Sequence, residues 1–216
     1  MLSLDRTERR VSKSAEGGDL NITVYCGSTS NGNEAFERTA RDLGAWIAAQ
    51  GHALVYGGSS IGLMGIVSRA VIDAGGAVHG VELRAFAEAG VVQHGLASLQ
   101  VVDTMAERKA RMIELGDVFV ALPGGAGTLE EISEIMSRIR MGKSPSVCSF
   151  LNVNGFYNPL RQLIGNMLAC GFVTQADCDR FLFPESVEEF AAIVANEQRA
   201  PHEACATAAE LASTPR

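Results

Sequence analysis

The loop Pro123-Gly124-Gly125-Ala126-Gly127-Thr128 is the stretch of this chain whose residue types and spacing most plainly suit chemistry. It lies within VFVALPGGAGTLEEISEIMSRIR, residues 118–140. A short apolar run precedes it, and Ile132, Ile135, Met136 and Ile139 follow at i, i+3, i+4 and i+7. That order predicts a strand, a tight turn and a helix with one face against a sheet. Glycines in such a turn let backbone N–H groups point at a ligand, and the helix start adds unpaired N–H groups and the positive end of its dipole. The chemistry that fits is the binding of an anion, above all a phosphate.

What the loop lacks narrows the kind of phosphate. A triphosphate loop needs GxxxxGK[ST], and a dinucleotide fingerprint needs GxGxxG. No lysine follows Gly127, and the next glycine of the fingerprint would fall at Glu130. Glu130 and Glu131 are expected in the first helical turn, where they would repel a polyanion. One phosphate beside a neutral, reacting sugar fits better. Thr128 and Glu131 also have the T-x-x-E spacing of a capping box, which would account for both residues and is compatible with phosphate binding.

A second element stands upstream, in DTMAERKARMIELGD. Laid out at 100° per residue from Thr104, Met105, Met112, Ile113 and Leu115 form an apolar arc opposite Glu107, Ala110, Arg111 and Glu114. Arg108 and Lys109 fall inside the arc. Charges there either snorkel to solvent or meet an anion, and the second reading suits Arg108 more than Lys109. An inward arginine can hold a phosphate or sugar with its fork of donors.

The elements that must position these residues alternate in type. Strands are expected at Asn21–Cys26, Ala53–Tyr56, Ala77–Val81, Leu99–Val102, at the run before Pro123, at Val147–Leu151 and near Phe181–Phe183. Helices are expected from about Asn33 to Gln50, with Phe36, Leu43, Trp46 and Ile47 inward, after GGSSIGLMG, at Thr104, after the loop, at Tyr157–Cys170 and at Val187–Asn196. Such alternation gives a single-domain α/β fold: a parallel sheet with helices on both faces. Ligands bind such sheets at the carboxyl ends of strands where the order reverses. The loops after Cys26, Tyr56 and Leu122 leave such ends, and a nucleotide pocket is the leading expectation. Gly57 and Gly58 suit approach to a ligand, whereas Gly62 and Gly65 suit close helix-to-strand packing. Residues 82–99 are expected to be a surface loop with a short helix, or a wall over the site.

Composition bounds the rest. Residues 1–19 read as a disordered arm, 20–196 as the catalytic domain and 197–216 as a flexible tail. With 216 residues and 47% hydrophobic content the chain can bury one sizeable core. A formal charge of −7 argues against nucleic acid or an anionic membrane as main partner. No apolar run is long enough to span a bilayer, and the N-terminus lacks the apolar segment of a secretory signal, so a cytoplasmic protein is expected. The five cysteines show no CxxC pair, and the four histidines show no HExxH or HxxxH pattern. Neither a disulfide framework nor a metal is expected.

VVDTMAERKARM followed by DVFVALPGGAGTLEE resembles the LOG family, the cytokinin riboside 5′-monophosphate phosphoribohydrolases, often labelled lysine decarboxylases. The family's PGGxGTxxE motif falls on Pro123 through Glu131, and its CGS, YGG and GLMG elements match Cys26–Ser28, Tyr56–Gly58 and Gly62–Gly65. The resemblance covers about residues 20 to 195. It implies a Rossmann-like homodimer that cleaves the N-glycosidic bond of an N6-substituted AMP with no cofactor or metal, releasing a cytokinin base and ribose 5-phosphate. The family's catalytic pair falls on Arg108 and Glu131, and substrate contacts are expected from Ser28, Gly58, Lys109, Gly124, Gly125, Gly127 and Thr128. A carboxylate there would stabilise positive charge growing on the sugar and orient or deprotonate the attacking water. Three positions depart from the family pattern: Ala106 replaces a usual histidine, Ala126 a common aromatic, and Glu82-Leu83 the end of GVIP. They bear on the base pocket and hence on the preferred N6 group. Two other readings stay open, a broader hydrolase of purine monophosphates and a nucleotide-binding sensor without turnover.

Overall fold

Period-two alternation along the strands splits the interior into two apolar layers, one on each face of a sheet. A computed structural model describes residues 20–143, 145 and 147–199. Its strands are β1 (Asn21–Tyr25), β2 (Ala53–Tyr56), β3 (Val78–Leu83), β4 (Ser98–Val102), β5 (Val118–Ala121), β6 (Cys148–Phe150) and β7 (Phe181–Leu182). All pair in parallel, in the order β4-β3-β2-β1-β5-β6-β7. Ile22, Val24, Leu54, Tyr56, Val118 and Val120 serve one layer, while Tyr25, Val55, Phe119, Ala121 and Phe150 serve the other.

The helices are α1 (Glu34–Ala49), α2 (Gly62–Asp73), α3 (Arg84–Glu88), α4 (Met105–Leu115), α5 (Ala126–Arg140), α6 (Asn158–Ala169), α7 (Gln175–Cys178) and α8 (Val187–Arg199). Helices α1, α2 and α8 close the first layer through Leu43, Ile47, Val67, Val71 and Phe190. Helices α4, α5 and α6 close the second through Met112, Ile132, Ile135 and Ile164. This is the expected Rossmann-like architecture. No helix among the described residues is long and apolar enough to cross a membrane.

Topology fixes where the chemistry sits. From β1 the chain steps outward to β4, and β5 returns to the centre on the other side of β1. The order therefore reverses between β1 and β5, whose following loops flank a crevice. Helix α4 makes the return from edge to centre and lies across β4, β3, β2 and β1. Its first turns thus reach the carboxyl ends of β2 and β3.

Several boundaries differ from expectation. Strand β3 runs on through Glu82 and Leu83 because they pair with Val101 and Val102 of β4. The segment after it contains the expected short helix, α3, and Val91–Gln93 folds onto the loop after β2. There Ser60 N donates to Val91 O (2.7 Å) and Gln93 N to Gly58 O (3.0 Å). Helix α8 continues to Arg199. The expected arm over 1–19, and the tail beyond Arg199, lie outside the described residues.

Gly44 of α1 shows how close the α1–α2 crossing is. A Cβ there would lie 2.6 Å from Val67 O and 2.7 Å from Ala70 Cβ. Gly→Ala inside a helix ordinarily stabilises by about 1 kcal/mol. Gly44→Ala should instead destabilise by roughly 1–3 kcal/mol through overpacking. Urea unfolding checks the sign: a raised midpoint would show that the two helices have room to separate.

Candidate active site

Three turns converge at the switch point. Gly27 N donates to Pro123 O (3.1 Å), and Leu63 N donates to Gly27 O (3.1 Å), tying the loops after β1 and β5 and the start of α2 together. Gly62, at φ +58°, has its α-carbon against Ser28, where a Cβ would come within 2.2 Å of backbone carbon. Gly65 packs as tightly on Ser60. Both are packing glycines, as expected, and they seat α2 beneath the exposed Ser28.

The loop after β5 behaves differently along its length. Gly124 faces the Thr128 side chain, whose Oγ1 would stand 2.2 Å from an added Cβ. Gly125 and Gly127 have open space where a side chain would project, and both are exposed. Helix α5 begins at Ala126 with Gly125 as N-cap and no capping side chain. The first-turn N–H groups are thus left for solvent or a ligand.

The early start corrects two expectations. Thr128 is the third helical residue, so the Thr128–Glu131 capping box does not form. Glu130 and Glu131 lie in the second turn rather than the first. The physical reason is Gly125: its extended backbone lets the helix begin before Thr128. A capping box does form on α4, between Thr104 and Glu107.

Glu131 turns sideways to α4. Its Oε1 accepts from Arg108 Nη1 at 2.7 Å. Arg108 Nε donates to Val81 O (3.0 Å), and Nη2 to Gly57 O (3.2 Å). Arg108 is 8% exposed and Glu131 7%, so the arginine is an inward anchor and not a snorkelling side chain. Gly57 is what admits it, since a Cβ there would lie 2.0 Å from Nη2. Lys109, the next residue, turns to the outer side and also meets anions there: its Nζ reaches Glu130 Oε1 (2.9 Å) and Glu134 Oε2 (3.2 Å) on α5.

One further residue belongs to this cluster. Glu82 is 2% exposed and stands 3.8 Å from Arg108 Nε, with its Oε1 accepting from Leu83 N (2.9 Å). Gly58, at φ +83°, packs on it. The signal in sequence was a carboxylate ending the apolar run of β3. What concealed its role was the crossover that carries α4 over that strand end.

Burial dominates the electrostatics. It raises the Glu131 carboxyl above the ordinary carboxylate range, against the opposing pull of Arg108. Burial likewise raises Glu82, and pushes the thiol of Cys26 far up, which makes it a poor nucleophile. Among the described residues no group of His, Cys, Asp or Glu is placed to hold a metal.

Fold and site define a Rossmann-like protein with an open glycine turn and a buried arginine–carboxylate pair at the switch point of its sheet. Residues 64–194 match the family model described as "Possible lysine decarboxylase". The chain is 39% identical over 179 residues to a cytokinin riboside 5′-monophosphate phosphoribohydrolase of Rhodococcoides fascians, across 82% of this chain and 90% of that one. It is 38% identical to the phosphoribohydrolase LOG5 of Arabidopsis thaliana, across 78% and 74%. In fold it is similar to the molybdenum cofactor carrier protein of Chlamydomonas reinhardtii, with TM-score 0.66 and 20% identity over 84% of this chain and 99% of that one. The chain belongs to the LOG family.

Because burial raises Glu131, its protonated form is favoured in the folded state. The stability this gives is present below the unfolded value of about 4.3 and is lost as pH rises through the folded value. The stability of the parent relative to Glu131→Gln, read by urea unfolding, should therefore be greater at pH 4 than at pH 7.5. A relative stability that instead rises with pH would mean that Arg108 outweighs burial.

Proposed function

We propose that this protein hydrolyses the N-glycosidic bond of cytokinin riboside 5′-monophosphates, giving free base and ribose 5-phosphate. The observation that carries the reading is the buried Arg108–Glu131 pair placed beside an open glycine turn at the switch point. Its relatives from Rhodococcoides and Arabidopsis bear the name of that activity.

The steps follow from the residues. Backbone N–H groups of Gly124, Gly125 and Gly127, with Thr128 and Ser28, take the 5′-phosphate at the uncapped start of α5. Binding energy there is used at the C1′–N9 bond. As that bond breaks, positive charge grows on the sugar, and ionised Glu131 opposes it electrostatically. Glu131 also takes a proton from the attacking water, a task its raised basicity suits. Arg108 keeps the carboxylate aimed, and Lys109 adds positive charge that Glu131 feels. Gly58 lets the wall formed by Val91–Gln93 close on the pocket. Neither described lysine suits a Schiff base: Lys109 is engaged by two carboxylates and Lys143 is exposed, while Lys13 lies outside the described residues. A nucleoside monophosphate is a metabolite of the cell interior, and we place the enzyme in the cytoplasm.

We also propose a homodimer. Met105 at the start of α4 is 36% exposed, and Leu129 near the start of α5 is 45% exposed. The Lys109–Glu130 bridge sets these helix ends side by side, beside edge strand β4 with exposed Leu99 and Val101. Such apolar surface suits contact with a second copy. Sedimentation of the parent should give twice the chain mass, and Met105→Glu with Leu129→Glu should shift it to monomer. An unchanged mass in the double variant would place any dimer contact elsewhere.

Incubation with isopentenyladenosine monophosphate, its nucleoside and plain AMP, with chromatography of base and ribose 5-phosphate, tests the activity. Base should appear from the N6-substituted monophosphate and not from the nucleoside. Glu131→Gln and Arg108→Ala should each lower kcat/KM by about 10²–10⁴-fold. Equal release from AMP would favour the broader purine monophosphate hydrolase. Tight binding without release would favour a sensor, and lysine consumption with added pyridoxal phosphate would overturn the assignment.

A further inference from the structure

Glu82 has no part in the chemistry above, yet it is the most deeply buried carboxylate of the site. It sits on the Nε edge of Arg108, opposite the Nη1 edge that meets Glu131. One guanidinium therefore stands between two carboxylates, all three nearly out of water. Taking a carboxylate out of water is costly, and one partner already satisfies the charge of Arg108. The backbone accommodates the arrangement closely. Gly58 packs so near that an added Cβ would lie 2.9 Å from Glu82 Cβ, and Leu83 N–H fixes one carboxylate oxygen.

We propose that Glu82 is a positioning residue that acts through Arg108: it takes a share of the guanidinium's charge on the Nε side and so leaves Glu131 incompletely neutralised. The proposal rests on the hydrolase reading for its consequence in turnover, but the coupling itself exists whether or not the protein turns over.

The physical consequence has a definite sign. With Glu82 ionised, Arg108 is drawn on from both sides, and Glu131 holds its proton more tightly and is the stronger base. With the charge of Glu82 removed, Arg108 serves Glu131 alone, and Glu131 becomes a weaker base that titrates at lower pH. The other groups facing Glu131 stay as they are: Lys109 from α4, Tyr25 from β1, Cys26 just after it, and Glu130 on α5, with Glu134 a turn further on. Glu82 itself faces Tyr56 from β2 besides Arg108. None of the groups facing Glu131 is replaced by a substitution at 82, so a shift at Glu131 reports the loss of the Glu82 charge beside Arg108. The two carboxylates titrate as a coupled pair, and the observable is the movement of the pair's lower step between variants.

The test uses Glu82→Gln, which keeps shape and the acceptor for Leu83 N–H, with Glu82→Asp as the charge-retaining comparison and Glu82→Leu as a second neutral variant. Circular dichroism and urea unfolding establish that each is folded. Carbon-13 carboxyl titration is the first readout, with the Glu131 signal assigned by its loss in Glu131→Gln. The pH profile of kcat/KM on isopentenyladenosine monophosphate is the second. In Glu82→Gln the Glu131 titration and the acid limb should both move to lower pH. There kcat should fall by up to about tenfold as the base weakens, with KM unchanged because Glu82 does not touch substrate. Glu82→Asp should recover most of the shift. Should neither neutral variant fold, Glu82→Asp alone must show a smaller shift in the same direction, because its carboxylate is one methylene further from Arg108. A Glu131 titration unmoved in a folded neutral variant overturns the proposal. So does a raised KM at constant kcat, which would make Glu82 a substrate contact. If the parent releases no base from any nucleotide, the hydrolase reading fails, while a moved Glu131 titration still upholds the coupling.

Discussion

The guanidinium of Arg108 is held out of water, and each of its three nitrogens has an acceptor: Val81 O, Gly57 O and Glu131. Arginine does not shed its proton in a protein, so a buried one must have its charge and its donors met in place. Much of the local structure follows from that. Position 57 has no side chain because the guanidinium occupies the space. Near the end of β3, Val81 must turn its carbonyl toward α4, and α4 must cross the strand ends at a height that brings its fourth residue there. Helix α5 must begin early enough for Glu131, its sixth residue, to come alongside.

The register between α4 and α5 is written as two consecutive pairs. Arg108 and Lys109 are neighbours on one helix, Glu130 and Glu131 on the other, and a step of 100° separates neighbours on each. Hence when Arg108–Glu131 faces inward, Lys109–Glu130 falls on the outer seam, joined there by Glu134. The two pairs differ in weight. The outer one is partly solvated and is worth about 0–1 kcal/mol. Breaking the inner one leaves an unmatched charge in the interior, at a cost of roughly 3–5 kcal/mol. The inner pair therefore decides how the helices sit, and the outer pair follows.

Strand and helix placement was legible in the sequence because burial imposes a period: Ile132, Ile135 and Ile139 mark the inner face of α5, and Leu43 and Ile47 that of α1. The inward direction of Arg108 was legible for the same reason, as a charge lying in an apolar arc. What was not legible depended on residues far apart in the chain. Whether Thr128–Glu131 capped the helix turned on Gly125 taking the cap and on Arg108, 23 residues upstream, competing for the carboxylate. Glu82 looked like a departure in a pocket wall, since nothing local says that α4 returns across the end of β3. Local pattern yields the elements, and the crossovers of a parallel sheet decide which of their ends meet.

Glu130 and Glu131 lie past the first turn of α5, so they do not directly repel a polyanion from its N–H groups. Two other features disfavour one: no lysine follows Gly127, and the wider charge balance is negative. Around the crevice, the cations Arg108 and Lys109 are outnumbered by Glu82, Glu130, Glu131 and Glu134, and both cations are already engaged by carboxylates. No cation of this cluster is left to neutralise a chain of phosphates. The N–H groups at the start of α5 can hold one. The excess of carboxylate that disfavours more phosphate is the same excess that, in the proposed reaction, would stabilise positive charge on a sugar held next to it, so selectivity for a monophosphate and stabilisation of the transition state would draw on one electrostatic arrangement.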